Sequence, residues 1–213
     1  MGKYKNGING PFSGTIGNVV GANTLGIDYM RSLPEPRVDD PSPKQVKQRL
    51  VMGMISSWLR PLKAIIAVGF QVYVIGKTPI NQVFSLISKN ALIVTDGETK
   101  IDFEKVVLSK GVLMMSMVCE VVCQVNSLVH LKWNNFHSSL FNMDTDEATF
   151  IFYNPIKSKF ATFVGAAQRI AQQVELQLPA SFSGDQVHCW MQYVNVEGNQ
   201  VSTSGYVGQF EVG

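Results

Sequence analysis

The chain has 213 residues, 18 Lys and Arg against 16 Asp and Glu, and a formal net charge of +2. Its 46% hydrophobic content is enough for a real core and excludes a wholly disordered chain. Only 16% of residues are charged, low against the about 25–35% that suits the surface of a solitary soluble domain, so a partner is expected to cover part of the surface. The near-neutral balance supplies no global electrostatic attraction to nucleic acid or membrane.

Met1-Gly2-Lys3-Tyr4-Lys5-Asn6-Gly7 contains no apolar h-region, so no secretory leader is expected. Asn6 stands where a myristoylation signal needs Ser or Thr. The most apolar stretch, Ala64 to Ile75, is short for a bilayer and lies between Lys63 and Lys77. No membrane span is expected, and the expected location is cytoplasmic. The three cysteines, Cys119, Cys123 and Cys189, form no dense framework, which favours free thiols in a reducing compartment.

Residues 1–40 hold glycines 2, 7, 10, 14, 17, 21 and 26, seven of the chain's 18. From Gly7 to Gly21 they recur in steps of 3, 4, 3, 4, a helical spacing, yet each glycine costs a helix about 1 kcal/mol relative to alanine. An extended or turning arm is expected. Between the glycines stand Ile8, Phe12, Ile16, Val19 and Val20, which a solvated linker has no need of. They are the expected anchors of an arm that docks on the chain's own body or on a neighbouring subunit.

Ser42 followed by Pro43 reads as an N-cap and first helical position. Val46, Leu50, Met54, Trp58 and Leu59 then follow at helical spacing. Pro61 predicts a kink, with a second helix from Leu62 towards Tyr73, and Pro79 predicts a third helical segment bearing Val83, Phe84 and Ile87. Residues 41–95 form the expected helical unit. Beyond them, residues 96–213 contain alternating runs at Leu128 to Trp133, Ala148 to Tyr153, Lys159 to Val164, Val174 to Leu178, Val187 to Val194 and Tyr206 to Val212, with a further β-rich run between Val112 and Val125. Asn134-Asn135, Asn154-Pro155, Ser183-Gly184-Asp185 and Glu197-Gly198-Asn199 separate runs by turn chemistry. The expected fold is α+β, mainly an antiparallel β-sandwich, preceded by the helical unit and the Gly-rich arm. Val129 and Leu131 share the parity of Trp133, which places that indole between the sheets.

Leu131-Lys132-Trp133, Thr149 to Asn154, and Asp185 to Tyr193 with Gly198 and Ser202 resemble an immunoglobulin or fibronectin type III domain. The cysteine pair of antibody-type domains is not matched in position, which favours the fibronectin-like version. A second resemblance covers nearly the whole chain: Lys5-Asn6-Gly7-Ile8, Phe12-Ser13-Gly14, Gly17-Asn18-Val19-Val20-Gly21, Met30-Arg31-Ser32-Leu33-Pro34, Pro41-Ser42-Pro43-Lys44-Gln45, Leu59-Arg60-Pro61-Leu62 and Leu108-Ser109-Lys110-Gly111. These motifs are similar to an uncharacterised family abundant in Bacteroidota, a domain of unknown function, and the opening motifs are also similar to segments of some phage-associated structural proteins. The resemblance implies no reaction and no catalytic residues.

His130, His137 and His188 with the three cysteines are the candidate transition-metal ligands, and Cys119 and Cys123, four apart in a strand, are expected on one face. A structural zinc site wants four convergent ligands, so no metal is expected. Asp144, Asp146 and Glu147 lack the Gly and distal Glu of a calcium loop. There is no Gly-x-Ser-x-Gly elbow, and Gly17 to Gly21 is not followed by the Lys-Ser/Thr of a phosphate loop. No catalytic or cofactor-binding residue, no cofactor and no small-molecule substrate is therefore assigned. The expected function is a non-enzymatic structural protein that forms a homo-oligomer or larger array through its arm. The competing expectation is a nucleic-acid-binding module in which Lys3, Lys5, Arg31, Lys44, Lys47 and Arg49 contact phosphates.

Overall fold

The computed structural model describes residues 3–4, 10–35, 40–73, 76–95, 98–136 and 139–213. They divide into two compact units, Met1–Val46 and Lys47–Gly213.

The first unit is a four-stranded antiparallel meander rather than an open arm. Its strands are β1 (Lys3–Tyr4), β2 (Phe12–Ile16), β3 (Val19–Thr24) and β4 (Ile27–Ser32), in the spatial order β1-β2-β3-β4. The glycines account for the departure from helix. The β3–β4 connection is Leu25-Gly26, both at positive φ (53° and 84°), the two-residue turn whose twist matches the flanking strands. At Gly21 a Cβ would stand 2.2 Å from the Phe12 carbonyl oxygen and 2.7 Å from its ring, so only a bare backbone lets β2 and β3 close there.

Helix α1 (Pro43–Leu59) begins within the first unit and continues into the second, and Ser42 and Gln45 form a capping box at its start: Ser42 N donates to Gln45 Oε1 at 3.0 Å and Gln45 N to Ser42 Oγ at 3.5 Å. Pro61 sits in a 3₁₀ turn, Arg60–Leu62, between α1 and α2 (Lys63–Gly69). Thr78 caps α3 (Pro79–Asn90), accepting from Asn81 N, with Pro79 in the first turn. A short hairpin, β5 (Leu92–Thr95) and β6 (Glu98–Ile101), follows.

Seven strands make the sandwich: β7 (Met117–Gln124), β8 (Leu128–Asn134), β9 (Glu147–Asn154), β10 (Lys159–Gln168), β11 (Gln173–Gln177), β12 (Gln186–Val194) and β13 (Gly205–Glu211). One sheet runs β11-β8-β7 and the other β10-β9-β12-β13, all antiparallel. The chain changes sheet between β8 and β9, between β10 and β11, and between β11 and β12, giving the three-on-four order of an immunoglobulin- or fibronectin-like sandwich. Trp133 is 1% exposed in the core between the sheets, with Val129, Leu131, Phe150, Phe152, Cys189 and Met191.

The four-stranded sheet is covered on both faces. Ile151, Tyr153 and Trp190, of opposite parity to Phe150, Phe152 and Met191, pack with Ile55, Trp58, Leu59, Leu62, Ile66, Phe70, Val83 and Ile87 of the helices. Helices and sandwich, expected over 41–95 and 96–213, therefore share a core within one unit of three layers. Two-sided burial also explains why Ala148 to Tyr153 reads as a nearly continuous apolar run.

Two local expectations are corrected. Val46 and Leu50 are 41% and 69% exposed; an i, i+4 row drifts by about 40° per step at 3.6 residues per turn, so the row that reaches Trp58 leaves the core face at its other end. Cys119 and Cys123 do not share a face. The register of β7 shifts between Val118 and Glu120, a bulge that makes Cys119 the extra residue and reverses parity, leaving Cys119 exposed while Cys123 packs on the sandwich core. The helical stretch Pro43–Gly69 is long and apolar enough, by length and composition, to cross a membrane; Ile55, Trp58, Leu59, Leu62 and Ile66 within it belong to the helix–sheet core.

Candidate functional site

The meander gathers the expected assembly residues, and the strand register decides which of them act together. Gly14 lies opposite Gly21 and Gly21 opposite Met30, while Ile16 lies opposite Val19 and Val19 opposite Ser32. Paired residues share a face and alternate residues share parity, so Phe12, Ile16, Val19 and Met30 occupy one face. Val20 lies opposite Thr15 and Arg31, on the other face with Ala22, Ile27 and Tyr29. The anchor set is thus divided between two faces, and Ile8 lies outside the described residues. Of residues 10–35 only Gly21 is buried. Ile16 and Val19 are 37% and 39% exposed, Ile27 and Met30 69% and 71%.

The residues of the nucleic-acid reading are scattered by comparison. Lys3 belongs to β1 and Lys5 lies outside the described residues; Arg31 is in β4, and Lys44, Lys47 and Arg49 are in α1. Lys44 and Lys47 are one turn apart, whereas Arg49 is about 200° around the helix from Lys47.

The second unit holds a buried polar node that composition did not reveal. Arg169 and Asp146 are each 1% exposed. Arg169 Nε and Nη2 donate to Asp146 Oδ2 at 3.2 and 3.0 Å, Nη1 to Ser116 Oγ at 3.1 Å and Nη2 to the Met114 carbonyl at 2.8 Å. The guanidinium carbon lies 3.6 Å from the centre of the Tyr193 ring, a cation–π stack. Trp133 Nε1 and Asn135 Nδ2 donate to the Arg169 carbonyl at 3.1 and 2.7 Å. Such a node fixes the sandwich end in one arrangement.

At four other groups burial favours the neutral form. Burial lowers the pKa of His188, whose Nδ1 lies 2.8 Å from Tyr206 Oη, and pushes Tyr206 up to about 12. Burial also pushes Tyr193 up to about 12 and the Cys189 thiol well above its usual range. A raised thiol pKa opposes thiolate formation, which nucleophilic chemistry requires. Among the described residues, no group of three or more His, Cys, Asp and Glu could hold a metal ion.

Two of the grooves on this unit have largely apolar linings. One of about 540 Å³ is lined mainly by apolar residues such as Met54, Trp58, Ile101 and Phe103, with Ser57, Lys100, Tyr153 and Ser158 among them; the Ser57 hydroxyl donates to the carbonyls of Gly53 and Met54. The other, about 400 Å³, lies where Leu140, Phe141 and Met143 approach Val196 and Gln200. Leu140 and Val196 are 76% and 67% exposed, an apolar loop surface that period-2 reasoning misses because neither residue is in a strand.

No curated protein matches the chain. A family of unknown function, DUF6266, matches residues 11–208, from the second strand of the meander into the last strand of the sandwich. The chain belongs to the DUF6266 family.

Proposed function

We propose that this protein is a non-enzymatic structural component that assembles into a homo-oligomer or larger array through its amino-terminal meander. The observation that supports this reading is a four-stranded sheet in which Ile16, Val19 and Met30 on one face and Ile27 and Tyr29 on the other are exposed, with Gly21 as the one buried member among residues 10–35. Ordering a residue costs about 1–2 kcal/mol. Burying a large apolar side chain returns about 1.5–3 kcal/mol. Ile16, Val19, Ile27 and Met30 supply that return when a partner covers them. The motif resemblance extends the reading to a Bacteroidota family with a phage-like structural role.

Light scattering over a concentration range tests it. The full chain is expected to be multimeric, and the variant Ile16→Asp/Val19→Asp/Met30→Asp to be monomeric with an unchanged fold of the second unit. A monomeric parent retained on random DNA or RNA with steep salt dependence, roughly one log unit of slope per phosphate contact, would transfer the function to the basic residues between Lys3 and Arg49.

A further inference from the structure

The exposed outer edge of β4 has a sequence that complements itself. This strand closes the meander on one side, pairing with β3 alone among the described strands, and all six of its residues are exposed. It carries two charged side chains, Asp28 and Arg31, but no proline, no lysine and no register shift against β3. Thr24 and Ile27 flank the two-residue turn, which makes them a hydrogen-bonded pair. The backbone groups of Ile27, Tyr29 and Arg31 therefore point to β3, and those of Asp28, Met30 and Ser32 point away.

We infer that β4 pairs edge to edge, antiparallel, with β4 of a second copy of this chain, in the register that sets Met30 opposite the partner's Met30. The inference rests on the meander being the assembly surface. Two-fold symmetry perpendicular to the sheet allows only registers centred on a residue. Centring on Asp28 or Arg31 opposes like charges. Centring on Met30 brings the outward-pointing residues together, Met30 with Met30 and Asp28 with the partner's Ser32, so that each pair exchanges both backbone bonds. On the other face, Tyr29 meets the partner's Arg31 as ring and guanidinium, and Ile27 meets the partner's Leu33. In this register the carboxylate of Asp28, whose Oδ1 accepts from Asn23 Nδ2 at 2.8 Å, faces the hydroxyl of the partner's Ser32. Centring on Tyr29 instead sets Asp28 against Met30 and Ile27 against Arg31, and every such pair mismatches polar with apolar.

The test uses the full chain with the exposed Cys119 changed to Ser. Cα atoms in a hydrogen-bonded antiparallel pair are about 5.5 Å apart, within disulfide reach. Under mild oxidation Met30→Cys is expected to give a covalent dimer at least ~10-fold faster than Tyr29→Cys, whose thiols stand two residues out of register. Met30→Pro, which removes only an outward N–H, is expected to abolish the dimer while Trp fluorescence of the second unit is unchanged. Faster cross-linking at Tyr29 overturns the register. A parent that is multimeric by light scattering, yet cross-links at neither position and tolerates Met30→Pro, overturns edge pairing while leaving assembly intact. A parent that stays monomeric at all concentrations overturns both.

Discussion

Strands β12 and β4 are both antiparallel and both carry large side chains, yet every residue of β12 from Val187 to Tyr193 is buried and no residue of β4 is. The first is fixed from two sides by helices and a second sheet; the second is fixed only by its hairpin register and its turn. In one region the apolar groups are covered within the chain, whereas in the other the backbone is ordered and the apolar groups are exposed. Mutations should separate the two, since the first unit's effects will be read in association and the second's in stability.

The largest effect is expected from Asp146→Ala, which strands the Arg169 guanidinium in the sandwich and should cost about 3–5 kcal/mol in urea unfolding. Trp133→Ala should cost a comparable amount, about 3–5 kcal/mol, with the further loss of the indole bond to the Arg169 carbonyl. A variant of either residue that melts like the parent would remove the contrast between the regions. Gly21→Val should behave in the opposite way. Its side chain collides with the Phe12 carbonyl and ring, so the meander should open and association be lost while the main unfolding transition moves by less than about 1 kcal/mol.

A smaller effect lies in pH. His188 has its pKa lowered by burial, so the unfolded chain takes the proton first; stability should be full above the ordinary imidazole pKa of about 6.5 and fall as pH drops through and below it. Tyr193 and Tyr206 are pushed up to about 12, so the unfolded chain ionises first on the alkaline side and stability should fall as pH rises from about 10. His188→Phe should flatten the acid limb measured by urea midpoints from pH 5 to 8, and association through the meander should not follow that limb.

The sandwich was legible because it is made of regular alternation punctuated by turn residues: the parity of Val129, Leu131 and Trp133 placed the indole correctly, and Asn154-Pro155 and Glu197-Gly198-Asn199 marked hairpin ends. Three features broke the pattern for physical reasons. The glycine steps of the first forty residues imitate a helix, and the cost of glycine argues against helix without choosing between an arm and a sheet. The bulge at Cys119 inserts one residue and reverses parity, which no composition rule announces. Arg169 reads as a surface charge in Gln168-Arg169-Ile170, because its carboxylate partner is 23 residues away. At the candidate site, the apolar anchors were visible in sequence, but their division between faces needed the pairing of Gly14 with Gly21 and of Val19 with Ser32.

The irregular passage from helices to sandwich is stitched to a distant part of the chain. Leu108 N donates to Ser204 Oγ at 2.8 Å, Ser109 Oγ to the Ser202 carbonyl at 2.7 Å, and Leu113 bridges to Ser202 in parallel. Partners separated by about ninety positions close a long loop, which makes such contacts late in folding. During synthesis, at about 5–20 residues per second, the helices and the connector must therefore wait some seconds for residues 202–204 to leave the ribosome. Until then Trp58, Leu62 and Ile66 have no completed sheet to cover them. A nascent chain arrested before Ser202 should expose this face to a holding chaperone, and one released after Ser204 should not.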